Sequence, residues 1–449
     1  MELTLNLPVK EWYGPSARND PTYWGIDYPP LTAFHEVIMG YFSHLCEPAS
    51  VELFASRGYE SRSHRLFVRL SVVVSELVTY FPAAYLVSSA LNASERMQFS
   101  TFVMLILSPC LIFVDHGHFQ YNSVALGFFL GATYCVLRKK SLLGAIFYSC
   151  SFLYKQTLLY FSPIFFAYML GEALKRPTKL NALLRVAKIG LSVILTIGVH
   201  LLPFIAGCTD IMCIKMQVTS ILTKIFPFNR GVFEDYVGNI WIVTSPFLRL
   251  RHAAPDFLRL VAVASAVGTF AGFLPVCWAL VTKPRRELFT VGLVVSSLSF
   301  YLFSWMVHEK AVLLPSTALL SSLPFLLVSG NSDLILRIAE AGIMSLWRLM
   351  TYDKCAVGGV AISLLGYCLL RYTISCGNAE AGAPMKHYRR EVRLMPVFTN
   401  SIALIGILLD LAVKPPSRFP YLWPYVISLG CCGTFVLSWF RMTAIVLRK

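Results

Sequence analysis

The chain is poor in charge. Only 14% of its 449 residues are Asp, Glu, Lys or Arg, against about a quarter in ordinary soluble domains, and that shortage excludes a soluble globular protein. Acidic side chains are the scarcer sign, 24 against 39 Lys and Arg, which leaves a formal net charge of +15. A basic surplus of this size would suit nucleic acid if it formed one face. It does not. Arg138, Lys139 and Lys140, then Lys175, Arg176 and Lys179, then Lys283, Arg285 and Arg286, then Lys386, Arg389, Arg390 and Arg393, and finally Arg448 and Lys449 sit in short clusters between apolar runs. Cytoplasmic loops under the positive-inside rule look like this, so no nucleic-acid partner is expected.

Metal spacing is also missing. The twelve cysteines form no Cys-x-x-Cys or Cys/His pattern, so no metal and no cofactor is expected. Cys110, Cys135, Cys150, Cys277, Cys368, Cys431 and Cys432 lie in apolar segments, where thiols behave as small hydrophobes. Cys208 and Cys213 share a polar loop, and a disulfide or two free thiols are both open there. There is no fixed-period repeat, low-complexity tract or Gly/Ser linker. The opening MELTLNLPVKEWYG has neither the basic n-region nor the continuous apolar h-region of a signal peptide.

Apolar length, by contrast, is abundant. The chain is 56% hydrophobic with a mean hydropathy of +0.63, and runs of roughly 20 apolar residues, enough to cross a bilayer core of about 30 Å, recur from Val68 to the end. The fold class is an all-α polytopic membrane protein. Crossing segments are expected at 68–91, 98–114, 123–137, 141–154, 159–173, 187–206, 257–281, 287–306, 311–329, 333–350, 355–371, 395–413 and 421–440. About thirteen crossings place the basic clusters on one side, and place 1–67, 115–122, Lys155, 207–256, the His308 turn and 414–420 on the exoplasmic side. Two regions result: an exoplasmic segment, 1–67, and a multi-helix membrane domain, 68–449.

Chemistry is sought in the exoplasmic loops. DHGHFQYNS gathers Asp115, His116, His118, Gln120, Tyr121 and Asn122 at one membrane face, denser than an interfacial cap needs. A metal reading of Asp115 and His118 lacks a third ligand at a recognisable spacing, whereas amides, imidazoles and an aromatic suit sugar hydroxyls, sugar rings or phosphate. FPFNRGVFEDYVGNIW combines Arg230 with Glu234 and Asp235; Arg230 can grip a phosphate through paired charge-assisted bonds, or serve a structural ion pair. MVHEKAVLLP places His308, Glu309 and Lys310 between apolar runs, where charge is costly unless it meets an aqueous cavity. Lys310 alone could be a snorkelling side chain; the trio suits an anionic headgroup or leaving group. Lys155 and Gln156 form a smaller version of the same pattern. Asp27 and Tyr28 lie in YWGIDYPPLTAFHE, where Asp27 is either an Asx-type turn before Pro-Pro or a carboxylate able to orient a sugar hydroxyl.

Taken together and in order, YWGIDYPPLTAFH, SRGYES, DHGHFQYNS, IFPFNRGVFED with NIW, and FSWMVHEK resemble the dolichyl-phosphate-glucose-dependent α-1,3-glucosyltransferases of the endoplasmic reticulum, a family of the GT-C class. The likeness runs over most of the chain. The WGIDYPPLTA form is nearer the branch adding the first glucose than the branch adding the second, which shares DYPP, HFQYN and HEK. The resemblance implies a GT-C-like bundle in the endoplasmic-reticulum membrane, surrounded by that membrane's lipids. It implies metal-independent, inverting transfer of glucose from dolichyl-phosphate-glucose to a mannose of Man9GlcNAc2-PP-dolichol, during assembly of the N-glycan precursor. His308 and Lys310, with Arg230, would neutralise phosphate; Asp27 would order the acceptor or support the base. A transporter or lipid-binding protein is the alternative class, although the related halves that transporters often show are not visible.

In that family a first transmembrane helix leads into a luminal G-D-[FY]-E-A-Q-R-H-W motif, whose Asp is the catalytic base, and M-E-I-T or its like comes directly after it. This chain begins MELT. The expectation is therefore that residues 1–449 lack the family's first helix and its main base, either because the sequence is a truncated form of a longer chain or because it is a base-less, inactive homologue.

Overall fold

The computed structural model describes residues 1–448 apart from Pro21, Thr22, Trp24 and the segments 227–235, 251–252 and 381–389. Arg230, Glu234 and Asp235 therefore lie outside the described residues. Every named element among the described residues is helical, and the only β pairing there is an isolated bridge between Ser16 and Asn19. The all-α reading holds.

Among the described residues, eight helices are long and apolar enough to cross a membrane: Arg62–Ala90, Glu95–Gly117, Gln156–Leu174, Lys179–Ile205, Pro255–Thr282, Arg286–Phe303, Ala356–Asn378 and Leu422–Leu447. Asn122–Leu137 and Ser141–Tyr154 are apolar but shorter; at about 1.5 Å per residue neither reaches across a ~30 Å core alone, while apolar Val397–Ala412 belongs to the longer helix Arg390–Ala412. The run expected at 311–329 is two helices, Leu313–Ser321 and Leu323–Val328, and that at 333–350 is Ser332–Met344 followed by Trp347–Tyr352. Every residue of Leu313–Ser321 is buried. Such broken backbone is tolerated at membrane depth only where protein surrounds it.

Burial separates lipid-facing from central helices. In Lys179–Ile205 only 6% of the apolar window is buried inside the protein, against 78% in Arg286–Phe303. The first exposes Leu191, Ile194, Leu195, Val199 and Leu202 along one face, as a helix solvated by lipid should.

The chain forms two compact units. The first comprises 1–83, 119–159 and 184–230. Here the N-terminal segment has a core of its own: Leu3, Leu7, Trp12, Tyr13, Ile26 and Ala33 pack with Phe204, Ile221 and Ile225. The rings of Trp12 and Phe34 lie 5.6 Å apart, and each approaches Phe204 at 5.8 Å, within the range where aromatic pairs add to simple burial. Trp12 Nε1 donates to the Leu7 carbonyl at 3.0 Å, so the buried indole is satisfied. Helix Pro30–Cys46 starts on proline, whose fixed φ suits a first turn, and exposes Ile38, Tyr41, Phe42 and Leu45 at helical spacing. That stripe fits a lipid headgroup boundary. Cys208 and Cys213 are joined by a disulfide, which resolves the open alternative.

The second unit comprises 84–118, 160–183 and 231–449. Its helices approach closely where glycine permits. Ser162–Leu174 meets Pro255–Thr282 at Gly171, where an added Cβ would lie 2.5 Å from the Leu280 carbonyl oxygen.

Candidate active site

The boundary between the two units divides DHGHFQYNS after His118, so its residues are positioned by different neighbours. In the second unit the chain enters the motif through a π-helical turn, Ile112–Gly117, with the His118 amide donating to the Phe113 carbonyl, five residues back, at 2.9 Å. The extra residue in such a turn re-aims the backbone after it, and such turns gather at functional sites. Asp115 is fully buried within it, and His116 is half-buried.

His118 is the centre of a polar line. Its Nδ1 lies 2.7 Å from Oδ2 of Asp353, and its Nε2 lies 3.2 Å from Nζ of Lys310. Positive-φ backbone occurs beside two of its members and shortly before the third. Phe119 next to His118, Lys354 next to Asp353, and Met306 shortly before His308 have φ of 73°, 58° and 60°, the left-handed region that side chains with a Cβ seldom enter. Strain of this kind persists where surrounding structure over-determines it and gathers at functional sites.

Lys310 belongs to a short 3-10 turn, Glu309–Val312, capped by His308: the Lys310 amide donates to His308 Nδ1 at 3.2 Å. His308 therefore shapes the turn that presents Lys310. Glu309 is buried.

The first unit holds the rest of the motif. Lys155 Nζ donates to Asn122 Oδ1 and, at 3.3 Å, to Gln120 Oε1, while Asn122 Nδ2 donates to the same Gln120 oxygen at 2.9 Å. Tyr121 and Ser71 share a hydroxyl–hydroxyl bond of 2.6 Å, and burial pushes the Tyr121 phenol up to about 12. The rings of His35 and Tyr121 are nearly perpendicular, with centroids 4.9 Å apart. The hydroxyls of Tyr154 and Ser75 lie 2.9 and 3.2 Å from the two nitrogens of His35. Burial lowers the pKa of that imidazole, against an opposing pull from Glu36. Gln156 is turned away from this group, donating to the Ile225 carbonyl at 3.2 Å.

Asp27 is exposed in the loop ahead of Pro30–Cys46. It adds to the upward shift of the Tyr13 and Tyr28 phenols, which burial chiefly causes. Tyr13 donates its hydroxyl to the Tyr28 carbonyl at 2.8 Å, fixing the turn that carries Asp27.

The structure thus brings together Gln120, Asn122 and Lys155 in one unit, and His118, His308, Glu309 and Lys310 in the other. Two residues escape a reading of the sequence. Asp353, in TYDKC, is a lone carboxylate closing an apolar run, and His35 sits in a stretch dominated by its aspartate and prolines.

Groups of three or more His, Cys, Asp or Glu placed to hold a metal are absent among the described residues. The arrangement offers instead a fixed ammonium with an imidazole behind it, and an amide–ammonium cluster suited to hydroxyls or phosphate.

Comparison with known proteins gives this chemistry a setting. The sequence model of the ALG6, ALG8 glycosyltransferase family matches residues 1–442. A Gallus gallus protein named dolichyl pyrophosphate Man9GlcNAc2 alpha-1,3-glucosyltransferase is 36% identical, with 99% of this chain and 89% of the relative aligned. An Arabidopsis thaliana protein with the same name, marked probable, is 33% identical over 98% of this chain and 81% of its own length. A Pongo abelii protein of that name is 32% identical over 97% and 86%. With a family model spanning nearly all its residues and relatives aligned along most of their length, the chain belongs to the ALG6, ALG8 glycosyltransferase family.

Proposed function

We propose that this protein transfers glucose from dolichyl-phosphate-glucose to a mannose of Man9GlcNAc2-PP-dolichol, in α-1,3 linkage with inversion, at the luminal face of the endoplasmic reticulum. The observation that carries the reading is Lys310, an ammonium held by His118 on a capped turn. The names of the relatives supply the acceptor and linkage.

In the displacement a mannose hydroxyl oxygen bonds to the anomeric carbon as the bond from that carbon to the donor phosphate breaks. The electron pair leaves with the phosphate, which passes from one negative charge to two. A cation placed where that charge grows lowers the barrier, and Lys310 is assigned that task. The acceptor hydroxyl loses its proton to a base, and Asp27 is assigned to ordering the acceptor. Gln120, Asn122 and Lys155 are assigned to substrate positioning, and Tyr28, His116, Tyr121, Gln156 and Glu309, with Arg230, Glu234 and Asp235 on sequence grounds alone, are carried as further substrate-binding candidates. Both substrates carry polyprenyl tails, which apolar helices can hold. The Cys208–Cys213 disulfide suits an oxidising lumen.

The test uses cells that lack their own first glucosyltransferase and accumulate Man9GlcNAc2-PP-dolichol. Expression of the protein as its gene encodes it should yield Glc1Man9GlcNAc2 on the lipid. Unchanged Man9GlcNAc2 would overturn the proposal, and activity only on a Glc1Man9GlcNAc2 acceptor would reassign the protein to the second glucose.

A further inference from the structure

We propose that Asp353 is a positioning residue for this transfer: its carboxylate fixes the tautomer of His118, and the tautomer in turn aims Lys310. The inference rests on the glucosyl-transfer reading and adds to it a residue that the sequence motifs do not contain.

Donor and acceptor capacity decides the tautomer. An ionised carboxylate only accepts, and an ammonium only donates. His118 stands between them, 2.7 Å from Asp353 and 3.2 Å from Lys310. Nδ1 must then carry the proton and Nε2 must present its lone pair. The opposite tautomer would aim an N–H at an ammonium and a lone pair at a carboxylate, repelling at both ends. An imidazolium would repel the Lys310 end. Asp353 thus decides whether Lys310 meets a lone pair or an N–H on His118, from 235 residues away in sequence.

Position supports the reading. The His118 and Asp353 side chains are 21% and 17% exposed, shielded enough for the bond to hold the ring. Each is followed by a residue at positive φ, Phe119 and Lys354. Both turns adopt an unfavourable backbone where the pair is made.

Asp353→Asn tests the step because carboxamide and carboxylate have nearly the same shape, yet the carboxamide NH2 can donate to Nδ1 and drive the proton to Nε2. By analogy with the wrong-tautomer loss in a Ser-His-Asp triad, turnover should fall on the order of 10² to 10⁴-fold, with the KM for dolichyl-phosphate-glucose little changed. Asp353→Glu should recover much of the rate. His118→Gln provides the second arm. Its side-chain carbonyl places a permanent acceptor near the Nε2 position and needs no tautomer, so adding D353N to H118Q should cost no further turnover. Purified D353N should keep the wild-type melting temperature in detergent.

Full turnover in D353N would sink the inference, as would a D353N loss of equal size in the wild-type and H118Q backgrounds. If D353N does not accumulate, D353E alone decides: a rate no better than that of Asp353→Ala overturns the proposal. Failure of the underlying reading shows elsewhere, as absence of Glc1Man9GlcNAc2 from the wild-type protein.

Discussion

Lys310 and His118 are 192 residues apart in sequence and 3.2 Å apart through Nζ and Nε2. If that ammonium meets the leaving phosphate, its benefit grows as the second negative charge develops. Lys310→Ala should then lower turnover by about 10² to 10³-fold, the usual cost of one preorganised donor to developing charge, and raise donor KM much less. Initial rates of Glc1Man9GlcNAc2 formation in microsomes check this; a rise in KM of that size with turnover intact would mean that Lys310 only binds the donor.

His308 acts on the same lysine through the backbone, its Nδ1 accepting the Lys310 amide at 3.2 Å. Asparagine caps helical turns well and alanine does not, a difference of about 0.5–2 kcal/mol. His308→Ala should therefore slow turnover and His308→Asn restore much of it. Equal losses in the two variants would assign His308 to phosphate contact in place of capping.

Lys155 has different partners, the amide oxygens of Asn122 and Gln120. Removing a charged donor from such a bond costs about 1.5–3 kcal/mol, roughly 10- to 100-fold if it is expressed in binding. Lys155→Met should raise the KM for one lipid substrate by that order while turnover changes little. Competition between donor and acceptor at fixed enzyme identifies which, and an unchanged KM for both removes Lys155 from the substrate path.

These contrasts show how far the sequence reaches. Helical class is legible in it because apolar length is a local property, and the candidate loops stand out because charge beside apolar runs is costly. HEK and DHGHFQYNS stand out for that reason. Asp353 does not: one carboxylate at the end of an apolar run has an ordinary surface reading, and only folding brings it to His118. The broken helices between Leu313 and Tyr352 are hidden for the converse reason. Their composition is as apolar as that of a lipid-facing span, and hydropathy does not distinguish burial in protein from burial in lipid.

Glu47 provides a prediction in pH. Its carboxylate accepts from Tyr59 at 2.5 Å and from Ser61 and Ser63 at 2.7 Å each. These bonds hold its pKa down from 4.5 to about 2. A folded pKa below the unfolded one stabilises the loop above the unfolded value, and the benefit fades as pH falls through 4.5 toward 2. In detergent, Glu47→Gln should melt below wild type at pH 7, and the gap should narrow between pH 5 and pH 3. A gap that stays constant over that range would rule out the carboxylate as its source.

Two glycines in different membrane helices should respond oppositely to alanine. At Gly171 a Cβ would lie 2.5 Å from the Leu280 carbonyl oxygen and 2.8 Å from that of Val281, and neighbouring backbone cannot yield as a side chain can. Separating the two helices should cost about 1–3 kcal/mol, which outweighs the helix-propensity gain of about 1 kcal/mol from Gly to Ala. At Gly190, in the lipid-facing Lys179–Ile205, nothing stands within 4 Å of the added carbon, so the propensity gain should appear unopposed. Gly171→Ala should melt below wild type and Gly190→Ala at or slightly above it. The reverse order would mean that Ser162–Leu174 and Pro255–Thr282 do not meet through Gly171.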